Sequence, residues 1–177
     1  YDNSEDIIIF YSDKVGKYKC FSNFYMSSFD FKIKHGLFKN KIFTVDCAEK
    51  AIMISKASIM NDSSTFSKIL NAKTPGEVKA LGRKVSPFDQ DIWDKNICNI
   101  AEEICLSKFS QNSNLKEILL STETKMIAEA ASRDKIWGIG MDIKNPNNQN
   151  KNEWKGTNIL GWALMKARDS LIKEDND

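Results

Sequence analysis

Asp46-Cys47-Ala48-Glu49-Lys50-Ala51-Ile52-Met53-Ile54-Ser55-Lys56-Ala57-Ser58-Ile59-Met60 is the run from which the rest of the chain can be read. It holds a helical period without Pro or Gly, and Asp46 stands where an N-cap belongs. On a helical wheel with about 100° per residue, Ile52, Met53, Ile59 and Met60 all fall within roughly 80° of Glu49. Lys56 falls in the same sector. Two opposite charges thus lie inside the apolar stripe of one helix. An unpaired charge on a buried face is expensive. A mutual salt bridge is poorly placed, because this spacing separates the two Cα atoms by about 10.5 Å along the axis, and helical ion pairs form between residues three or four apart. Each charge is therefore expected to face a third group or a polar cleft over the stripe. Two plainer readings stand beside this one. Glu49 is placed to be the reciprocal partner of Asp46 in a capping box, and Lys56 can snorkel past the core into water.

The cleft reading carries specific chemistry. A partly desolvated lysine has a lowered pKa and can attack an aldehyde or an anomeric carbon. A nearby carboxyl can protonate a leaving group and then activate water. The pair suits cleavage at a glycosidic carbon, where positive charge develops.

Before the helix the chain reads as β structure: a short run from Ile7 to Ser12, then Phe29 to Lys34 and Lys39 to Val45 as a hairpin turning at His35-Gly36. After it the reading is mostly helical. Ser63 to Asn71 is a short helix, and Thr74-Pro75-Gly76-Glu77 is a capping box opening another that ends near Gly82. Gln90 to Phe109 is a long helix with Ile92, Trp93, Ile97, Ile100, Ile104 and Leu106 expected on its buried side. Ser113 is expected to cap a helix running to Leu120, Lys125 to Ala130 reads as a short strand, Asn145 to Lys155 as a polar loop, either mobile or forming a rim, and Asn158 to Lys173 as the closing helix. The expected fold is α+β and mainly helical, one domain over residues 1–177 with a small antiparallel sheet.

Composition excludes several classes of function. With 177 residues, 41% hydrophobic, and a net charge of +2, the chain can build a core and has no bulk affinity for nucleic acid. No apolar run nears the roughly 20 residues of a membrane helix, and acidic residues before Ile7-Ile8-Ile9-Phe10 argue against a signal peptide. The four cysteines form no C-x-x-C pair, so no metal is expected and a reducing compartment, cytoplasmic or nuclear, is. His35 is the only histidine, which leaves acid–base chemistry to carboxylates, lysine or water.

The motifs, taken in order, resemble the NADAR (YbiA-like) family. Cys20-Phe21-Ser22-Asn23-Phe24-Tyr25 resembles its F-S-N-F signature, and Cys47-Ala48-Glu49 with Met53 and Lys56-Ala57 resembles its C-A-E-Q-Y-M-M-x-x-K-A helix. Leu81-Gly82-Arg83, Trp93 and Lys108-Phe109-Ser110-Gln111-Asn112 follow in the family's order. Glu129-Ala130-Ala131-Ser132-Arg133-Asp134-Lys135-Ile136-Trp137-Gly138-Ile139-Gly140 is similar to its E-A-S-P-x-D-x-I-W-G-I-G, and Trp154, Gly156, Asn158, Leu160-Gly161 and Ala163-Leu164-Met165 to its closing run. Asn158 can also be read simply as a helix N-cap, and Arg83 as a partner of helix-end carbonyls.

The resemblance implies hydrolysis of N-glycosidic bonds, with no cofactor and no membrane or metal partner. One branch of the family removes ADP-ribose from guanine bases; another hydrolyses phosphoribosylamino-pyrimidine intermediates of riboflavin synthesis. The C-A-E form with M-x-x-K points to the first, on an ADP-ribose-containing substrate that can be single-stranded DNA or RNA. A non-catalytic ADP-ribose reader is a further alternative. Carried over residue by residue, Lys56 would form a Schiff base with ribose C1, Glu49 would be the acid–base carboxyl, and Asp134 would hold ribose hydroxyls or assist proton transfer. Trp93 and Trp137 would wall the pocket. Phe21, Ser22, Asn23, Arg83, Glu129 and Gly138 would complete the substrate contacts. Lys50 departs from the family's usual Gln or His and would add a cation if it faced the rim.

Overall fold

The structure, a computed structural model, describes residues 6–177; Tyr1 to Glu5, included in the expected domain, lie outside the described residues. The β-like runs become β1 (Ile8–Phe10), β2 (Met26–Lys32) and β3 (Ile42–Cys47), with a 3-10 turn at Lys19–Phe21. Then come α1 (Ala48–Ile59), α2 (Ser63–Asn71), α3 (Pro75–Gly82), α4 (Gln90–Ser110) and α5 (Ser113–Leu120), followed by β4 (Ile127–Glu129) and α6 (Ile159–Asn176). The protein is α+β and mainly helical, as the sequence predicts, and no helix among the described residues is long and apolar enough to cross a membrane.

The antiparallel hairpin is present, with Phe29 opposite Val45 and Phe31 opposite Phe43, and a register shift between Met26 and Phe29. Phe29, Phe31 and Ile33 face inward together, as strand alternation requires. The hairpin loop is fastened to the end of α1. Ser58 Oγ donates to the His35 carbonyl at 2.7 Å and accepts from the Phe38 N–H at 3.0 Å. Gly36 has φ +83°, and a Cβ there would stand 1.8 Å from the Ser58 carbonyl oxygen. The backbone can approach only because that position is glycine.

A second sheet departs from the reading of a single antiparallel one. β1 pairs with β4 in parallel, Ile8 with Ile127 and Phe10 with Glu129. α1 packs on α2, α3, α4 and β3, and α4 packs in turn on α6.

Several local expectations need correction. The N-cap of α1 is Cys47, not Asp46, because β3 continues extended through Cys47 before the chain coils. Asn112 rather than Ser113 occupies the N-cap of α5. On α4 the buried stripe runs Trp93, Ile97, Ile100, Ile104 and continues through Cys105, Lys108 and Phe109. Ile92 lies off that stripe at 40% exposure, and Leu106 is only partly buried. The polar loop after Ile143 is stitched by Asn145 and Asn150 side chains accepting from backbone two residues on, and by Trp154 Nε1 donating to Asn148 O at 2.8 Å.

Candidate active site

Five stretches of chain converge on a cavity of about 700 Å³. Glu49 and Met53 come from α1, Lys79 from α3 and Arg83 from its C-cap, Ser22-Asn23-Phe24 from the turn before β2, and Ser12-Asp13 from the turn after β1. Glu129 through Trp137 supplies the remaining wall.

Glu49 reaches this cavity through the geometry of the β3–α1 junction. With Cys47 extended at φ −159°, ψ 161° and no side-chain cap, the first N–H groups of α1 need other acceptors. The Glu49 N–H donates to the Asn23 carbonyl at 2.9 Å. Asp46 instead stands 3.3 Å from Lys50 Nζ, so it is not the capping-box partner of Glu49. The Glu49 side chain is released from backbone duty and is only 6% exposed. Burial pushes its carboxyl up to about 7, reinforced by Asp134 and opposed by the cations of Lys79, Lys56 and Arg83. Desolvation outweighs the favourable helix N-terminus here.

Glu129 is a second perturbed carboxyl. It is also pushed up to about 7 by desolvation, then by the charges of Asp134 and Glu49. Its backbone is set by Asn158, whose Oδ1 accepts from the Glu129 N–H at 3.1 Å while Nδ2 donates to the Ile127 carbonyl at 3.0 Å. Asn158 therefore occupies the N-cap position of α6 but spends its amide on β4. Asp134 Oδ1 accepts from the N–H groups of Ile136 at 3.0 Å and Trp137 at 2.8 Å. That turn aims both side chains at the cavity.

The charges are sorted by depth. The carboxyls of Glu49, Glu129 and Asp134 are buried or half-buried, whereas Lys79, Arg83 and Arg133 are exposed. Arg83 faces this rim. Lys56 is half-buried and stands behind the wall rather than on it. Its Nζ donates to the Gly82 carbonyl at 2.8 Å and lies 4.8 Å from the Phe88 ring centroid. Burial pulls its ammonium pKa down, against the pull of Glu49 and with the help of Arg83.

Of the residues expected at the site, Ser22, Asn23, Arg83, Glu49, Glu129, Asp134 and Trp137 meet at the cavity. Phe21 does not. It is 1% exposed and packed between the rings of Phe10, Tyr18 and Phe109, while Phe24 takes the cavity wall. Trp93 does not either. It lines a separate apolar cavity of about 740 Å³ with Ile97, Ile159 and Trp162, and only Ile136 borders both. Gly138 is buried behind the wall, where its carbonyl accepts from the Asn158 N–H at 3.0 Å and passes close to Gly156. Lys50 faces away from the rim, donating to Ala72 O at 2.8 Å and Leu70 O at 3.1 Å. Lys79 and Arg133 are functional candidates that the sequence reading passed over. Lys79 was available to it, since it precedes Arg83 by one helical turn and shares its face.

The chain is similar to known proteins in sequence and in fold. The NADAR domain family matches residues 9–172. The chain is 33% identical over 177 residues to "Protein irg-1" of Caenorhabditis elegans, covering 96% of this chain and 82% of that protein. It is 43% identical over 122 residues to "N-glycosidase R617" of Acanthamoeba polyphaga mimivirus, covering 69% and 72% respectively. The NMR structure of the Escherichia coli protein YbiA superposes with a TM-score of 0.74 at 25% identity, covering 97% of this chain and 88% of that one.

Proposed function

The chain belongs to the NADAR domain family, and from that membership and the layered charge of the cavity we propose that it is an N-glycosidase cutting the bond between ribose C1 and a nitrogenous base. The finer reading is removal of ADP-ribose from ADP-ribosylated guanine, in a nucleotide or in single-stranded DNA or RNA. The supporting observation is Glu49: a buried carboxyl held at about 7 on the wall of a cavity rimmed by Lys79, Arg83 and Arg133. An acid near neutral pH suits proton donation to a leaving base. An outer cationic rim suits phosphates, through forked guanidinium contacts and lysine. The half-buried carboxylates suit ribose hydroxyls. Trp137 offers a flat face to a base.

In the reaction, Lys56 gives up its bond to the Gly82 carbonyl and its neutral amine adds to C1. The C1–N bond to the base breaks, and Glu49 passes its proton to the departing nitrogen. The C1–O bond of the ribose ring then breaks as a proton passes from the lysine nitrogen to the ring oxygen, which opens the sugar to a protonated imine. Water then adds to the imine carbon; a carboxylate takes its proton and passes it to the lysine nitrogen, and the C–N bond to Lys56 breaks as the new hydroxyl gives up its proton and becomes the carbonyl of the free sugar. Glu49 and Glu129, both pushed up to about 7 on the cavity wall, suit proton exchange near neutral pH.

The test is incubation with an ADP-ribosyl-guanine oligonucleotide, free ADP-ribosyl-guanosine and a phosphoribosylamino-pyrimidine, followed by mass measurement. Release of ADP-ribose from the first two with restored guanine supports the reading. Turnover of the pyrimidine alone moves the assignment to a riboflavin-type hydrolase. Thermal protection by ADP-ribose with no product from any substrate leaves a reader rather than an enzyme.

A further inference from the structure

Lys108 lines neither large cavity, yet it is a fully buried cation on α4, 2% exposed. Its Nζ donates to the Cys20 carbonyl at 2.6 Å and to the Ser22 carbonyl at 3.1 Å. The ring centroids of Phe109 and Tyr25 lie 5.2 and 5.8 Å away. Among the described residues no carboxylate comes within 4.0 Å of it. A buried ammonium held by carbonyls and rings alone costs more than a methionine of similar length would in the same hole. Core packing therefore does not explain why a cation stands there.

Its acceptors do. Cys20 lies in the 3-10 turn and Ser22 is its C-cap, at the start of the Ser22-Asn23-Phe24 wall of the cavity. From Ser22 the bonds run onward to the site. Ser22 Oγ accepts from the Phe24 N–H at 3.1 Å, and the Ser22 carbonyl also accepts from the Tyr25 N–H at 3.2 Å. The Asn23 carbonyl then receives the N–H of Glu49. A single ammonium thus fastens the segment that both forms one wall and anchors the first turn of α1.

We propose that Lys108 is a positioning residue for the reaction, clamping the Cys20–Ser22 carbonyls so that the Ser22–Phe24 wall and Glu49 keep their places against the substrate. The catalytic consequence rests on the cavity being the active site; the clamp itself does not. Burial draws the ammonium down to about 8, while the facing thiols of Cys105, Cys20 and Cys47 favour its charge. Those thiols are themselves pushed up, Cys47 to about 11 and Cys105 to about 12. Lys108 is accordingly the first of this group to change charge as pH rises.

Lys108→Met and Lys108→Arg separate positioning from bulk stability. For Lys108→Met, amide exchange should rise at Tyr25 and Glu49 but not across α2, and KM should rise about tenfold, the loss of roughly one charge-assisted bond, with a smaller fall in kcat. Wild-type KM should climb between pH 8 and 9.5, and this climb should vanish in Lys108→Arg, whose guanidinium stays charged. A lower melting temperature with KM, kcat and the Tyr25 and Glu49 amides unchanged overturns the proposal. If Lys108→Met does not fold, the same two amides followed in the wild type from pH 7 to 9.5 decide, and a flat response overturns it. Should the wild type turn over none of the substrates, the functional reading fails, while the exchange measurements still judge the clamp.

Discussion

Lys56 Nζ and the Gly82 carbonyl, 2.8 Å apart, tie the amine of α1 to the residue just before Arg83. The bond holds the amine beside the cavity and makes its release part of any attack. Lys56→Arg can keep a donor at Gly82 and the positive charge but cannot form an imine. The expected outcome is a folded protein whose kcat drops by roughly a thousandfold or more, as when a nucleophile is removed. Borohydride should trap a sugar adduct on the wild type by mass, at Lys56. Full turnover by Lys56→Arg, or no adduct during active turnover, refutes an amine nucleophile.

Glu49→Gln should separate activity from stability. Loss of the proton donor should lower kcat by about 10²–10⁴. The stability effect has the opposite sign. Burial raises the carboxyl from 4.5 to about 7, so the folded protein binds this proton more tightly than the unfolded chain. The contribution is fully present below about pH 4.5 and is lost as pH rises through about 7. Glutamine removes that loss. Calorimetry should find Glu49→Gln more stable than wild type at pH 8 by about 3 kcal/mol, or roughly 6–12 °C, with the gap closing by pH 4.5. A variant less stable at pH 8 contradicts the buried, protonated carboxyl.

Asp134→Asn leaves an acceptor for the Ile136 and Trp137 N–H groups and removes only the charge. Asp134 raises both Glu49 and Glu129. Without its charge both should ionise at lower pH, and the alkaline limb of kcat should move to lower pH by about half a unit or more, in keeping with a nearby like charge. Asp134→Ala should shift the limb likewise and also lose about 1 kcal/mol of stability with the two hydrogen bonds. An unmoved limb in both variants would mean that Asp134 acts on substrate alone.

The legible parts of this fold were the periodic ones. The wheel of α1 put Glu49 on an inward face because 3.6 residues per turn is a local rule, and Phe29, Phe31 and Ile33 gave the hairpin face in the same way. The parallel pairing of β1 with β4 was hidden because each strand has three residues and its partner lies more than a hundred positions away. Asp46 was misplaced as a cap for a related reason: the acceptor serving Glu49 comes from Asn23 in another segment. Order of motifs put Trp93 and Trp137 in one pocket, but order carries no information about which side of Ile136 a ring occupies. Lys79 was visible at one turn from Arg83 and acquires meaning only when α3 packs on α1.

Lys50 gives the sharpest contrast with its neighbour Glu49. It is 5% exposed, and its ammonium joins the end of α2 to α1 through Ala72 O, Leu70 O and Asp46. Removing it leaves one buried and one half-buried carbonyl short of a donor and one carboxylate without its cation, but changes nothing on the cavity wall. Lys50→Met should therefore lower stability by about 1–3 kcal/mol, read as a fall in melting temperature, while kcat and KM stay within about twofold of wild type. The same variant with Asp46→Asn should lose less than the sum of the two single changes, because they share one interaction. A change in substrate preference in Lys50→Met, with stability intact, would place the ammonium at the rim after all and would require α1 to be rotated from the position that buries Glu49.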